Sequence, residues 1–154
     1  MALSIRRADL TSPAAHVLIT ALNAELSGAY PEPGATHFGL DPADIAPERG
    51  AFLVAYLDGE AVGCGAMRLL DATTGELKRM YVTPAFRGNG VGRRLVEELE
   101  AEARRIGAER LVLETGARQA AALLLYERCG FTSIPLYGEY LRSPESSICL
   151  GKTL

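Results

Sequence analysis

Residues 75–95 read GELKRMYVTPAFRGNGVGRRL, and this stretch joins a strand, a glycine-rich turn and the start of a helix. The apolar character of 76–82 predicts the strand, and apolar residues at helical spacing predict a helix over 91–106. The turn RGNGVG, residues 87–92, has three alternating glycines, which let a backbone close around a ligand. Because a helix N-terminus carries unpaired N–H groups and partial positive charge, the turn predicts a phosphate cradle.

Two other phosphate-binding patterns fail at this turn. A P-loop requires Lys and then Ser or Thr after its last glycine, whereas two arginines follow Gly92. The dinucleotide fingerprint is G-x-G-x-x-G at the opening of a βαβ unit, but this turn reads G-x-G-x-G after three meandering strands. The spacing therefore argues against a nucleotide-binding or NAD-dependent enzyme. The segment 78–94 has no acid, and its five basic residues predict a patch for a polyanion: Lys78, Arg79, Arg87, Arg93 and Arg94.

The rest of the chain predicts a mixed α/β sheet whose first half is rich in hairpins. Asp58-Gly59 is a strong tight-turn signal between two apolar runs. The segment 30–50 holds four of the eight prolines and predicts a long loop with one helical turn near 41–45. The predicted strands are 2–8, 51–57, 61–70, 76–82, 110–115, 131–134 and 146–150, and the predicted helices are 13–26, 91–106 and 118–129.

Composition limits the class of protein. The 154 residues suit one domain, and a net charge of -3 without a basic tail argues against nucleic acid as the main partner. No apolar run reaches the ~20 residues of a membrane span, and the first residues lack the apolar stretch of a signal peptide. The three cysteines, Cys64, Cys129 and Cys149, form neither a disulfide framework nor a CxxC pair, which predicts a reducing cytoplasm.

The pattern R-x-x-G-x-G at Arg87 resembles that of the GCN5-related N-acetyltransferase (GNAT) family. The resemblance continues through RLVLET, residues 110–115, and LLLYERCGF, residues 123–131. It implies a single acetyltransferase domain over 1–154, with a cleft between splayed parallel strands, 76–82 and 110–115. The implied activity is transfer of an acetyl group from acetyl-CoA to an amine by direct attack in a ternary complex. The alternative is a CoA-binding or sensing module without catalysis.

The resemblance also implies which residues hold acetyl-CoA. Arg87 and the backbone of 88–92 would bind the pyrophosphate, with Arg93 in reach. The backbone of 80–82 would bind the pantetheine arm and the thioester carbonyl, where an N–H stabilises developing negative charge. The implied cofactor-binding residues are Met80, Tyr81, Val82, Arg87, Gly88, Asn89, Gly90, Val91, Gly92, Arg93 and Tyr126.

Two catalytic residues follow from the same resemblance. Tyr126 would lie beside the CoA sulfur and donate a hydrogen bond or a proton to the departing thiolate. Because an alkyl ammonium has a pKa of about 10.4, the acceptor must lose a proton before it attacks. Glu76 is the expected carboxylate base, and Glu114 and a water chain remain as alternatives. Nothing in the sequence predicts a metal site.

The acceptor pocket is expected from the early and late loops, and a small-molecule amine is the favoured partner. Acids there would favour a cationic acceptor, whereas Arg142 would favour a carboxylate, so the sequence does not identify the acceptor. A homodimer is compatible with the chain, but no residue predicts it. The expected pocket residues are Tyr30, Glu32, His37, Asp41, Tyr137, Glu139, Tyr140 and Arg142.

Overall fold

The computed structural model describes residues 2–31 and 39–154. In chain order its elements are β1 (Leu3–Arg7), α1 (Pro13–Ala29), β2 (Gly50–Leu57), β3 (Glu60–Leu69), β4 (Thr74–Val82), α2 (Val91–Arg105), β5 (Arg110–Gly116), α3 (Ala120–Arg128), β6 (Thr132–Ile134) and β7 (Ser147–Thr153). Short 3₁₀ turns lie at Pro42–Ile45, Pro84–Phe86 and Gly138–Arg142. The strands form one sheet in the order β1-β2-β3-β4-β5-β7-β6.

The mixed α/β sheet flanked by helices is therefore confirmed. The β2–β3 hairpin turns at Asp58-Gly59, where both residues adopt positive φ, 50° and 87°. The differences from prediction lie at the ends of elements, and α1 continues past its predicted end at residue 26 to Ala29. Strand β7 continues to Thr153, because it pairs antiparallel with β5 from Ser147 to Thr153. The helix predicted over 118–129 begins instead at Ala120.

Helices cover both faces of the sheet. On one face α2 buries Leu95 and Leu99 against apolar residues of β2–β5, so the predicted helical spacing corresponds to a buried stripe. On the other face α1 buries Leu18 and Leu22 against Phe52. Full burial of one such side chain stabilises the fold by about 1.5–3 kcal/mol. These two layers fix the sheet on which the site is built.

The centre of the sheet opens between β4 and β5. These strands run parallel and pair from Thr74–Arg110 to Leu77–Leu113, where the register ends. Immediately beyond, a β-bulge interrupts the β3–β4 pairing, and Arg79 has a φ of +58°. A bulge bends its strand and increases its twist. The expected cleft between splayed parallel strands is therefore present, and the bulge accounts for where it begins.

Candidate active site

A cavity of about 560 Å³ occupies the cleft. One wall is β4 beyond its bulge, and the other is the end of β5 with α3. The residues of the glycine turn except Asn89 lie in its lining, as do Tyr140 and Ser146 of the late loop. The cavity therefore joins the predicted phosphate cradle to the predicted acceptor pocket.

The glycines of the turn have different physical roles. Gly88 and Gly90 adopt φ of +82° and +83°, a region that L residues with a Cβ rarely occupy. Gly92 instead allows close packing, since a Cβ there would lie 3.0 Å from Leu125 Cδ2 of α3. Gly90 is the N-cap of α2, and among the described residues no side chain caps this helix start. The first-turn N–H groups are thus available to an anion, so the turn fits a pyrophosphate.

Arg87 lies in the cavity wall beside the turn. Its Nη2 forms an ion pair with Glu25 Oε1 of α1 at 2.7 Å, and its Nε donates to the Val82 carbonyl at 2.8 Å. The guanidinium also lies over the Tyr81 ring, 5.5 Å from its centroid. Arg93 is exposed in the lining, 3.5 Å from Glu97. Both arginines are positioned beside the phosphate cradle.

The five basic residues of residues 78–94 do not form the one continuous patch that the sequence predicted. Lys78 is buried, with 3% of its side chain exposed, and its Nζ donates to Glu139 Oε2 and to Tyr140 Oη at 3.2 Å each. Arg79 lies near the same two residues. The bulge places Lys78 and Arg79 at the acceptor end of the cleft. The order of charged residues along the sequence does not predict that these two lie apart from the three arginines at the glycine turn.

The segment Met80, Tyr81 and Val82 lines the cavity after β4 has lost its register with β5. A strand edge without a neighbour offers backbone N–H and C=O groups to a ligand. The side chains serve the core, as expected: Tyr81 packs on the α1 face, and Met80 and Val82 pack on the α2 face.

Tyr126 lies in the cavity wall on α3, with only 5% of its surface exposed. Its ring packs edge-on against Phe131, with the centroids 5.9 Å apart. Burial raises the pKa of the Tyr126 phenol far above its usual value, and the nearby Cys129 and Glu114 raise it further. The hydroxyl therefore remains protonated near neutral pH and is available as a proton donor.

The two candidate carboxylates have different surroundings. Glu76 is 1% exposed, and its two oxygens accept from Arg68 Nε at 2.9 Å and from the Tyr137 hydroxyl at 2.6 Å. Glu114 is a lining residue of the cavity, and its Oε2 accepts from the Ser147 hydroxyl at 2.6 Å. Burial raises the pKa of the Glu114 carboxyl, although Ser147 and Lys78 act in the opposite direction. The Glu76 carboxylate is therefore buried and paired, whereas Glu114 lies in the cavity wall.

The expected acceptor pocket is only partly assembled. Tyr30 and Tyr140 line the cavity, and Tyr137 and Glu139 belong to the polar network behind it. Asp41 and Arg142 are exposed, and Glu32 and His37 lie outside the described residues.

The sequence analysis did not predict a role for Arg68, Ser147 or Glu25, because each acts through a contact with a distant element.

Tyr30 closes the cavity from the end of α1. Its hydroxyl accepts from the Arg118 backbone N–H at 2.5 Å, and a Cβ on Gly116 would lie 2.0 Å from this hydroxyl. Gly116 is thus required for α1 to reach β5 across the cleft.

In residues 2–31 and 39–154 no cluster of His, Cys, Asp and Glu is arranged to bind a metal ion. No helix in these same ranges combines the length and hydropathy needed to cross a bilayer.

One cavity joins the glycine turn to the wall that holds Tyr126 and Glu114, an arrangement that fits an acyl-CoA N-acyltransferase. The family model of the acetyltransferase (GNAT) family matches residues 16–131. An IAA acetyltransferase of Azospirillum brasilense is 41% identical over 130 residues, 84% of each chain. A Klebsiella pneumoniae structure described as an acyl-CoA N-acyltransferase is 34% identical with a TM-score of 0.84, covering 99% of this chain and 97% of its own.

A GNAT acetyltransferase of Elizabethkingia anophelis with acetyl-CoA bound shares the fold, with a TM-score of 0.71 and 20% identity over 99% of this chain and 98% of its own. The protein therefore belongs to the GNAT acetyltransferase family. It is an N-acetyltransferase with acetyl-CoA as its cosubstrate, so the expected family, activity and cosubstrate are confirmed. These findings do not favour the alternative of a non-catalytic CoA-binding module.

Proposed function

We propose that the protein acetylates an amine of a small molecule by direct attack on the acetyl thioester in a ternary complex. The observation that carries this proposal is the joining of the phosphate cradle, Tyr126 and Glu114 in one cavity. A relative of 32% identity over 92 residues, 54% of this chain, is named aminoglycoside N(6')-acetyltransferase type 1, which supports a small-molecule acceptor.

Glu114 is the proton acceptor in this proposal. Its carboxyl lies in the cavity wall, and its raised pKa makes it a stronger base than an exposed glutamate. Glu76 is a positioning residue, because it holds Arg68 and Tyr137 and so orients the late loop behind the cavity. Its oxygens are engaged by both partners, so proton removal by Glu76 would require these contacts to break.

Tyr126 is the proton donor to the departing thiolate, since its phenol is buried, protonated and part of the wall. The open backbone edge of 80–82 binds the pantetheine arm and stabilises negative charge on the thioester oxygen. Arg87, the backbone of 88–92 and Arg93 bind the pyrophosphate. Acetyl-CoA itself supplies the activated acyl group, and these residues orient it toward the acceptor end.

We infer a single domain over 1–154 in a reducing cytoplasm. The continuous seven-stranded sheet supports the first inference, and the free Cys64, Cys129 and Cys149 support the second. A homodimer remains a prediction without a residue to support it.

Thermal unfolding with acetyl-CoA, free CoA or NAD tests the ligand assignment. A ligand at ~100 times its Kd stabilises a fold by about 2.7 kcal/mol, or roughly 5–10 °C for a domain of this size. We expect this shift with both CoA species and not with NAD, followed by CoA release in a screen of small amines. Absence of a shift with either CoA species would contradict the proposal.

Replacement of Gly90 by Ala should weaken CoA binding about tenfold or more. The left-handed φ costs an L residue about 1–2 kcal/mol, so the turn relaxes and its N–H groups leave the phosphate. Gly107→Ala is the matched control, because it imposes a similar cost at a φ of +94° beyond the other end of α2. Calorimetry should show reduced affinity only for Gly90→Ala, and equal CoA affinities would contradict the role of the turn.

A further inference from the structure

Two serines lie beside Glu114, where the late loop joins β7. Ser147 is the first residue of β7, and Ser143 directly follows the 3₁₀ turn Gly138–Arg142. The Ser147 backbone N–H donates to the Ser143 carbonyl at 3.0 Å, so one turn of chain holds the two side chains together. Their hydroxyl oxygens are 2.8 Å apart, and Ser147 is buried. The two hydroxyls therefore form a compact polar pair next to β5.

The register of the sheet brings Ser147 to Glu114. Cys149 of β7 pairs with Glu114, and Ser147 pairs with Gly116. Because residues two apart in a strand share a face, the side chains of Ser147 and Glu114 point to the same side of the sheet. Gly116, opposite Ser147, adds no side chain to that face, and the Ser147 hydroxyl donates to Glu114 Oε2 at 2.6 Å. The contact is therefore fixed by strand pairing.

The hydrogen bonds of these three side chains run in one direction. An ionised carboxylate only accepts, so the single O–H hydrogen of Ser147 goes to Glu114. Ser143 is then the donor between the two hydroxyls, at 2.8 Å, which is shorter than its 3.4 Å contact with the Tyr140 carbonyl. Successive hydrogen bonds of this kind polarise one another. The chain from Ser143 through Ser147 thus stabilises the charged form of Glu114 and fixes its orientation.

Other titratable groups also face Glu114 from the elements packed around it. They are Lys78 and Glu76 of β4, Tyr126 of α3, Glu139 and Tyr140 of the late loop and Cys149 of β7. Burial raises the pKa of the Glu114 carboxyl most, and the Ser147 hydrogen bond is the strongest influence that lowers it, ahead of Lys78. Lys78 Nζ donates to the late loop, whereas Ser147 contacts the carboxylate directly.

We propose that Ser147 is a positioning residue for acetyl transfer: its hydroxyl holds the Glu114 carboxylate in the cavity wall, and Ser143 orients that hydroxyl. This inference rests on the proposed function, in which Glu114 accepts the proton of the amine. Both serines lie outside the cavity lining, so they act through Glu114 and not on the substrate. The packing of the late loop thereby sets the reactivity of a residue on β5.

The pH profile of kcat tests this role with Ser147→Ala. Without the hydroxyl the carboxylate binds its proton more tightly, so the acidic limb should move to higher pH. A hydrogen bond to a charged group corresponds to a factor of about ten to a hundred in an equilibrium constant, so kcat on this limb should fall about tenfold or more. The thermal shift produced by acetyl-CoA should be unchanged, because Ser147 lies outside the lining.

Further variants separate the hydroxyl from packing. Ser147→Thr retains the hydroxyl and should return the limb toward its original pH. Ser143→Ala should move the limb in the same direction as Ser147→Ala but less far, because it removes only the donor to Ser147. Ser133→Ala, at an exposed position of β6, is the matched control and should keep the original profile. Unchanged profiles in both Ser147→Ala and Ser143→Ala would overturn the inference.

Glu114→Gln distinguishes failure of this inference from failure of the proposed function. If Glu114→Gln loses the acidic limb while Ser147→Ala keeps the original profile, the inference fails and Glu114 stands as the proton acceptor. If Glu114→Gln keeps both its kcat and the limb, Glu114 does not accept the proton, and the inference fails together with that part of the proposed function.

Discussion

Glu114→Gln is expected to lower kcat by about 10²–10⁴-fold, the usual contribution of a general base. The amide cannot accept a proton at neutral pH, yet its oxygen can still accept the hydrogen bond from Ser147. Because the substitution preserves shape and this contact, acetyl-CoA affinity should be retained. Rates of CoA release at saturating amine, together with the thermal shift produced by acetyl-CoA, measure the two effects separately.

The pH profile gives a second signature of Glu114. Its pKa is raised, and the reactive form is the carboxylate, so kcat should fall as the pH decreases through this raised value. The variant should lose this acidic limb. Retention of the limb in Glu114→Gln, with kcat unchanged, would exclude Glu114 as the proton acceptor.

Glu76→Gln is the matched carboxylate variant. It leaves Arg68 with one charged neighbour fewer, so the free energy of unfolding should fall by about 3 kcal/mol. The acidic limb of the rate profile should persist, because in our proposal Glu76 positions the late loop and does not accept the proton. Loss of the limb in Glu76→Gln alone would reverse the two assignments.

The raised pKa of Glu114 also has a consequence for stability. A group that binds protons more tightly in the folded state makes stability decrease as the pH rises from its unfolded pKa to its folded pKa. At neutral pH the ionised Glu114 is therefore unfavourable to folding. Glu114→Gln should be as stable as the parent protein or more so, which separates its loss of activity from unfolding.

Tyr126→Phe is expected to lower kcat about 10²-fold or more by removing the proton donor to the thiolate. The ring packing against Phe131 is retained, so the fold should change little. Tyr56→Phe is the matched control, since Tyr56 lies on β2, where Arg6 contacts its ring, outside the cavity lining. Steady-state rates for the three proteins measure the effect.

The size of the Tyr126 effect should depend on the leaving group. A thioester whose thiol has a lower pKa needs less protonation as it departs, so the variant should recover part of its rate with such a donor. An undiminished kcat in Tyr126→Phe would show that the thiolate leaves without help from this residue.

Local patterns in the sequence predicted the turn and the helix start at the proposed cofactor end of the site. The alternating glycines of residues 87–92 predict the turn, because positive φ and helix starts are local properties of a few residues. Tyr126 was predicted from another local segment, LYERCGF, through the family resemblance. The helical and strand periodicities likewise predicted the order of elements, and the family resemblance implied the two parallel strands.

The acceptor end was decided by tertiary structure. No local pattern marks the bulge at Arg79, although it opens the cleft and turns this side chain toward Glu139 and Tyr140. In sequence, Glu76 and Glu114 each lie in a predicted strand, and only the family resemblance favoured Glu76 as the base. Their partners, Tyr137 and Ser147, lie 61 and 33 residues away along the chain. The burial and proton affinity of each carboxylate depend on these distant groups, so they are fixed only when the late loop packs against the sheet.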